Sequence, residues 1–296
     1  GFRPLSLARL GGAWIVASET CAFDLIGAEY ERDLEPGEVI VIRRGRLRTL
    51  RPFASAPRQA FCIFEQIYFA RPDSNVIGHS VYQFRKELGR ILAREHSVAA
   101  DMVVPVLDSG NAAALGYAEE AGIPYETALI RNQYVKRTFI EPSASIRDFR
   151  VRIKHNASRQ MVGGKRVVLV EDSIVRGTTL LKLVGLIRQA GASEVHVRVS
   201  SPPNIGPCHY GIDTPTREEL IAHRHSVEEI RQILGADTLG YLSIDGLRGA
   251  ARSLKHGICD ACLSDDYPIP VGAEAEPPQL SLFRPVEPDD EPVLGS

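Results

Sequence analysis

The hydrophobic pattern of the chain changes near Gln83. Beyond this residue, short apolar runs typical of buried strands alternate with longer segments whose apolar residues recur at helical spacing. The pattern predicts strands over 102–106, 167–170 and 195–199, and helices over 84–96, 112–121 and 180–190. Strands separated by helices of this length favour a parallel sheet with crossover helices, which is an α/β fold.

The N-terminal segment has a different pattern, in which short β elements are joined by turns. Its two predicted strands are the apolar runs Ala13–Ser18 and Val39–Ile42. Two strands are too few for an independent domain. We therefore interpret residues 1–51 as the end of a larger domain and residues 52–267 as a second domain.

The C-terminal segment, residues 268–296, is rich in proline and acidic residues. Such a composition buries too little apolar surface to offset the entropy lost on ordering. The sequence predicts a disordered tail here.

Charge and hydropathy exclude several classes of protein. The 296 residues contain 35 Lys and Arg against 37 Asp and Glu, a net charge of −2. This balance excludes a strongly basic nucleic-acid binder. The chain has neither an apolar run of the ~20 residues that cross a bilayer nor the pattern of a signal peptide. We expect a cytoplasmic protein with no nucleic-acid or membrane partner.

The most informative segment runs from the predicted strand at Val167 to Thr179. Two carboxylates, Glu171 and Asp172, follow the strand, and a loop of small and hydroxylated residues leads into the next helix. The backbone N–H groups at a helix N-terminus can hold a phosphate, and Gly177 permits close backbone approach. The acids are suited to sugar hydroxyls or to Mg²⁺. Neither a dinucleotide-binding G-x-G-x-x-G nor a P-loop is present.

This segment resembles the 5-phosphoribosyl-1-pyrophosphate (PRPP) motif of type I phosphoribosyltransferases, and in particular that of the glutamine PRPP amidotransferase family. Glu171 stands where an aspartate is usual. The resemblance implies a type I phosphoribosyltransferase fold, preceded by a β remnant of an N-terminal-nucleophile (Ntn) hydrolase glutaminase domain. It also implies that PRPP is bound by Glu171, Asp172, Ser173, Arg176, Gly177, Thr178 and Thr179, and Mg²⁺ by Ser109, Glu171 and Asp172.

Other segments extend the resemblance. Residues 62–74 are similar to the family's hinge into the transferase domain, Asp108 and Ser109 to its pyrophosphate loop, and residues 132–140 to its flexible loop. Two residues depart from the family pattern. Leu107 stands where a proline is usual, and Lys136 where a glycine is usual.

Four cysteines form a candidate metal site. Cys259 and Cys262 have the spacing of a ligand pair, and Cys62 and Cys208 supply the two further ligands that a closed site needs. Four thiolates suit either Zn²⁺ or a [4Fe–4S] cluster. The resemblance favours the cluster, since one branch of the family carries one on these four positions. Cys21 lies outside the set and is predicted to be a small buried hydrophobic residue.

The segment from Arg131 to Gly164 is long, basic and poorly periodic, which is typical of a functional lid or a disordered segment. We expect it to close over a phosphorylated substrate and to exclude water, with Lys136, Arg137 and Lys154 as the candidate catalytic residues.

The implied activity is that of an amidophosphoribosyltransferase in purine biosynthesis. Ammonia, derived from glutamine, would attack C1 of PRPP. The family's glutaminase nucleophile is missing from the chain, so we expect activity with ammonia only. The alternative is a PRPP-binding regulatory protein that has kept the fold without catalysis. We further expect a homo-oligomer.

Overall fold

The computed structural model describes residues 1–53, 59–132, 155–214 and 216–270. The strands are β1 (Ser6–Leu10), β2 (Ala13–Ala17), β3 (Glu29–Asp33), β4 (Val39–Arg43), β5 (Arg46–Leu50), β6 (Phe61–Cys62), β7 (Asn75–Val76), β8 (His79–Ser80), β9 (Met102–Pro105), β10 (Leu129–Arg131), β11 (His155–Ala157), β12 (Arg166–Glu171), β13 (Glu194–Val199), β14 (Thr238–Tyr241) and β15 (Ile258–Cys259).

The helices flank these strands. They are α1 (Cys21–Ile26), α2 (Val81–Glu95), α3 (Asn111–Ala121), α4 (Arg159–Val162), α5 (Thr178–Gln189), α6 (Ile221–Arg224), α7 (Val227–Leu234), α8 (Ile244–Ala251) and α9 (Ala261–Ser264). A π-helical turn spans Glu65–Phe69 and a 3₁₀ turn spans Arg217–Glu219.

The core of the molecule is a four-stranded parallel sheet in the order β14-β13-β12-β9. The predicted strands correspond to β9, β12 and β13, and the three predicted helices to α2, α3 and α5, so these predictions are confirmed. The sequence analysis did not identify β14.

Both faces of the sheet are covered, which explains the unbroken apolar runs in β9 and β12. On β12, Val167 and Leu169 pack into one cluster with Leu183 of α5. Val168 and Val170 pack on the opposite face with Leu88 of α2 and with residues of α3. Alternation of side chains along the strand therefore gives each face of the sheet its own hydrophobic core.

Helices α2 and α3 lie against each other on the second face at very close range. A Cβ added at Gly89 would lie 1.9 Å from the carbonyl oxygen of Ala113, and one added at Gly116 would lie 1.9 Å from that of Lys86. The contact therefore requires glycine on both helices, because any side chain would overlap the partner's backbone.

The N-terminal segment contains more structure than the two strands that the sequence predicts. A three-stranded antiparallel sheet has the order β2-β1-β3, β4 and β5 form a hairpin, and α1 lies between β2 and β3. The alternation in β1, β3 and β5 is weakened by charged residues, so the sequence pattern missed them. The domain boundary at residues 51 and 52 stays a prediction.

An ion pair and several hydrogen bonds join this segment to the region that precedes α2. Arg3 forms an ion pair with the buried carboxylate of Glu65 at 3.0 Å. The Glu19 carboxylate accepts hydrogen bonds from the Ser74 hydroxyl at 2.8 Å and from the backbone N–H of Arg71 at 2.7 Å. These contacts hold the N-terminal segment against the region that precedes α2.

The described ends of the predicted loop over residues 131–164 contain regular structure. Strands β10 and β11 pair antiparallel, with Arg131 opposite His155, and α4 follows. The predicted lid residues Lys136, Arg137 and Lys154 lie outside the described residues, and so does nearly all of the predicted tail. Among the helices that are described, none combines the length and the hydropathy needed to span a membrane.

Candidate functional site

Two buried carboxylates lie where β12 ends. Glu171 and Asp172 are 8% and 5% exposed. The Glu171 carboxylate accepts a hydrogen bond from the backbone N–H of Asp172 at 3.1 Å, and the Ser173 hydroxyl donates to Asp172 at 2.6 Å. The end of the strand therefore presents a preformed pair of acids rather than two solvated side chains.

Burial raises the pKa of Glu171 well above its usual value, and the neighbouring charge of Asp172 raises it further. A hydrogen bond with Ser109 acts in the opposite direction. Two acids held this close out of water repel each other, and a cation between them would relieve the repulsion. The electrostatics of the strand end thus favour a cationic ligand.

The loop after the acids leads directly into α5. Gly177 has a φ of 75°, in the left-handed region, and forms the N-terminal boundary of the helix. A Cβ at this position would lie 2.9 Å from Cδ1 of Ile221. Thr178 and Thr179 form the first turn, where the free N–H groups and the helix dipole favour an anion. Arg176 is exposed and forms an ion pair with Glu219 at 3.0 Å.

A second loop, between β9 and α3, lies beside the acids. The backbone N–H of Val106 donates to the carbonyl oxygen of Val170 at 2.8 Å. The Leu107–Asp108 peptide bond is cis. The Arg131 guanidinium contacts the Asp108 carboxylate. The loop therefore places Ser109 within reach of the acid pair.

These loops enclose a cleft of about 510 Å³. Eight residues that the sequence analysis assigned to PRPP or Mg²⁺ line it, namely Ser109, Glu171, Asp172, Ser173, Arg176, Gly177, Thr178 and Thr179. The structure thus brings the predicted binding residues of two separate segments into one site.

The sequence analysis did not identify an aromatic wall of the cleft, formed by Phe64, Tyr68 and Phe69. These residues belong to the segment that resembles the hinge. Asp213 and Thr214 also line the cleft. No sequence signal identified them as site residues, because packing between distant segments brings them there.

The four predicted metal-ligating cysteines lie around one small cavity next to the cleft. Cys62 of β6 lies opposite Cys259 of β15. The Cys208 sulfur accepts a hydrogen bond from the backbone N–H of Tyr210 at 3.3 Å. Cys208 and Cys262 line both the cavity and the cleft. Four thiols converging on one space are the ligand number of a closed metal centre.

The environment of these thiols is apolar. Burial raises the pKa of Cys62 to about 12 and also raises that of Cys262. Phe2, Tyr210 and Tyr267 complete the cavity wall, and Phe2 stacks on Tyr210 with ring centroids 4.1 Å apart. Cys21 is separate from the set. It is half-buried rather than buried as predicted, because it lies at the start of α1 with its sulfur 3.8 Å from the Glu19 carboxylate.

Comparison with known proteins agrees with this geometry. Residues 81–206 match the family model of the phosphoribosyl transferase domain. These residues include α2, the sheet strands β9, β12 and β13, and both loops of the cleft. The fold and the site therefore define the class: the chain carries a phosphoribosyltransferase domain, and the predicted α/β fold is confirmed.

Comparison with individual proteins gives a more specific similarity than the domain match does. The chain is 52% identical over 93% of its length to the amidophosphoribosyltransferase of Archaeoglobus fulgidus and 54% identical over 92% to that of Bacillus subtilis. The solved B. subtilis glutamine PRPP amidotransferase, complexed with ADP and GMP, matches 90% of the chain with a TM-score of 0.83. Over more than nine tenths of its own length, the chain is similar to amidophosphoribosyltransferases. It spans 60% and 58% of the length of these two relatives.

Proposed function

We propose that the chain catalyses the ammonia-dependent amination of PRPP. The nitrogen of ammonia forms a bond to C1 of the ribose while the bond from C1 to the pyrophosphate oxygen breaks, with inversion. The products are 5-phosphoribosylamine and pyrophosphate, and the surplus proton of the new ammonium group passes to solvent. The observation that carries this proposal is that the acid pair, the α5 N-terminus and the loop at Ser109 share one cleft.

The charges of the cleft indicate which part of PRPP each group of residues would bind. The N-terminus of α5 is suited to the 5-phosphate, because its free N–H groups meet an anion and Gly177 leaves room for close approach. The acid pair is suited to the ribose hydroxyls. Catalysis then consists of positioning and of electrostatic stabilisation of the leaving pyrophosphate, with no side-chain nucleophile.

The residues present fit Mg²⁺. Glu171, Asp172 and Ser109 provide the hard oxygen donors that this ion prefers, and all three line the same cleft. When bound, Mg²⁺ would neutralise charge on the departing pyrophosphate. The protein's own contribution is to hold the three side chains at fixed positions at the strand end.

The predicted lid completes this proposal. Lys136, Arg137 and Lys154 would close over the phosphate groups of PRPP and exclude water, which competes with ammonia for C1. Strands β10 and β11 support this role, because they anchor both ends of the segment beside the cleft, where His155 lines the wall.

The four cysteines support a [4Fe–4S] cluster held by Cys62, Cys208, Cys259 and Cys262. A single Zn²⁺ would hold all four sulfurs at about 2.3 Å from one point. Among the described residues, no group of three or more His, Cys, Asp or Glu side chains is arranged to hold a metal ion, so the proposal rests on the four sulfurs that share one cavity. A cluster is larger and holds its thiolates further apart. Its role here would be structural, joining β6, β15 and the segment at Cys208.

The name of the solved B. subtilis relative includes glutamine. We propose that glutamine serves the complete protein as the source of ammonia, and that the protein is a homo-oligomer. For the described chain, ammonia is the donor to test.

The experiment is an assay of pyrophosphate release from PRPP with an ammonium salt at alkaline pH. Glu171→Gln and Asp172→Asn should each lower turnover at least about 100-fold, since transition-state charge stabilisation is worth about 3 kcal/mol or more. Glu120→Gln is the control, because Glu120 pairs with Arg94 on the surface. PRPP binding by the wild-type chain without pyrophosphate release would overturn the enzymatic proposal in favour of the regulatory protein.

A further inference from the structure

Arg85 is a buried cation beneath the cleft. It lies on α2 and is only 3% exposed. Two other arginines of this helix, the half-buried Arg90 and the exposed Arg94, form ion pairs at the surface with Glu119 and Glu120. Within the described part of the chain, Arg85 has no ion-pair partner. An unpaired buried charge is costly, so its position calls for a functional explanation.

The guanidinium donates to two backbone carbonyl groups. Nε donates to the carbonyl oxygen of Gln66 at 2.8 Å, and Nη2 donates to that of Ala70 at 2.7 Å. The first carbonyl lies within the π-helical turn Glu65–Phe69, and the second follows the turn directly. One planar fork therefore holds the turn at two points, and a lysine could not reproduce this geometry.

The turn that Arg85 holds carries the aromatic wall of the cleft. Tyr68 and Phe69 belong to it, and Phe64 precedes it. The rings of Tyr68 and Phe69 pack edge to face with centroids 5.4 Å apart. Tyr68 is half exposed, so few contacts of its own hold it in position. The geometry of the wall depends on the backbone beneath it.

The charge of Arg85 also acts on the site. Burial lowers the pKa of Arg85, and the negative charges of Asp172 and Glu19 oppose this effect. A positive charge behind the acid pair reduces the repulsion that an anionic substrate meets.

We infer that Arg85 is a positioning residue for PRPP, because its guanidinium fixes the aromatic wall and its charge offsets that of the acid pair. The inference rests on the proposed function for the identity of the ligand. Arg85 contributes to the affinity for substrate and not to the chemical step, because its guanidinium faces the turn and not the reacting atoms.

The test compares Arg85→Met, Arg85→Lys and the surface control Arg94→Gln. Arg85→Met should raise KM for PRPP about tenfold, which is about 1.4 kcal/mol, with kcat within about threefold of wild type. Arg85→Lys keeps the charge but loses the fork, so KM should rise about threefold. Arg94→Gln should match wild type. Calorimetric titration of each variant with Mg²⁺ and PRPP should give the same order of affinities without turnover.

Two results would overturn the inference. One is a KM and a binding constant within twofold of wild type in Arg85→Lys and, where it folds, in Arg85→Met. The other is a loss of kcat at unchanged KM. Thermal unfolding identifies a variant that has lost its fold, and Arg85→Lys then carries the test. If wild type binds PRPP without turnover, the proposed reaction fails, while the binding series still decides the role of Arg85. A wild type that does not bind PRPP would overturn both.

Discussion

Cys62 lies directly opposite Cys259 in a two-residue parallel pairing between β6 and β15. The backbone N–H of Cys62 donates to the carbonyl oxygen of Phe2 at 2.9 Å, which ties the N-terminus to the same place. Three distant parts of the chain therefore meet at this pair of thiols. A group bound by all four cysteines would stabilise the fold in proportion to its affinity, as structural metal centres do.

We expect protein purified without oxygen to contain about four iron and four sulfide per chain and no stoichiometric zinc. Cys259→Ser should lose the broad visible absorption and most of the iron. Cys21→Ser should keep both, because Cys21 lies outside the cavity. Metal and sulfide analysis with visible spectroscopy measures this. A colourless wild type with one zinc per chain would show that the cluster assignment is wrong.

Gly177→Ala should weaken PRPP binding at least tenfold. The residue has a φ of 75°, which L side chains rarely adopt, and the new methyl group would lie 2.9 Å from Ile221. Both effects displace the loop that meets the 5-phosphate. Gly185→Ala in α5 is the matched control, since a Cβ there has no described neighbour within 4 Å and alanine favours helix by about 0.5–1 kcal/mol.

Equilibrium titration of both variants with PRPP measures the difference. Equal affinity in Gly177→Ala and Gly185→Ala would show that the loop at Gly177 does not contact the ligand.

Glu38 should make the N-terminal segment sensitive to acid. Its carboxylate binds the Arg32 guanidinium at 2.6 Å, and this hydrogen bond lowers the pKa of Glu38 from 4.5 to about 2. Because the folded pKa is the lower one, the stabilisation is complete above pH 4.5 and is lost as the pH falls towards 2. Arg32 is partly exposed, so solvent screening reduces the contribution to about 1–2 kcal/mol.

The check is the difference in the free energy of unfolding between wild type and Glu38→Gln, measured at pH 6 and at pH 2.5. The difference should shrink at the lower pH. A difference that does not change with pH would contradict the assigned role of the carboxylate.

The sequence pattern predicted the sheet interior well, because β9 and β12 contain continuous apolar runs and β13 alternates three valines with His196 and Arg198. The sequence analysis did not identify strand β14, because this strand has only four residues and one of them is glycine. Gly240 is required there, since a Cβ would lie 2.6 Å from the His96 ring. Helix α7 was also missed, although its capping box, Ser226 with Glu229, is legible in the sequence.

Part of the candidate site could likewise be predicted from the sequence, and part of it could not. The acid pair and the phosphate loop are contiguous in the chain, so a motif could identify them. The aromatic wall and Arg85 could not be identified, because their roles arise from contacts between α2 and the turn before it. On the sequence, Arg85 is one of several charged residues of an amphipathic helix, and only its burial distinguishes it.

The pairing of β10 with β11 has a consequence for protein engineering. Arg131 lies opposite His155, so the described residues on the two sides of the stretch 133–154 are neighbours. An insert of different length or sequence can start and finish there without shifting the register of the central sheet. Residues 133–154 can therefore be replaced by the corresponding residues of a homologue. Comparing the turnover of such a chimaera with that of the wild type would measure what this stretch contributes to catalysis.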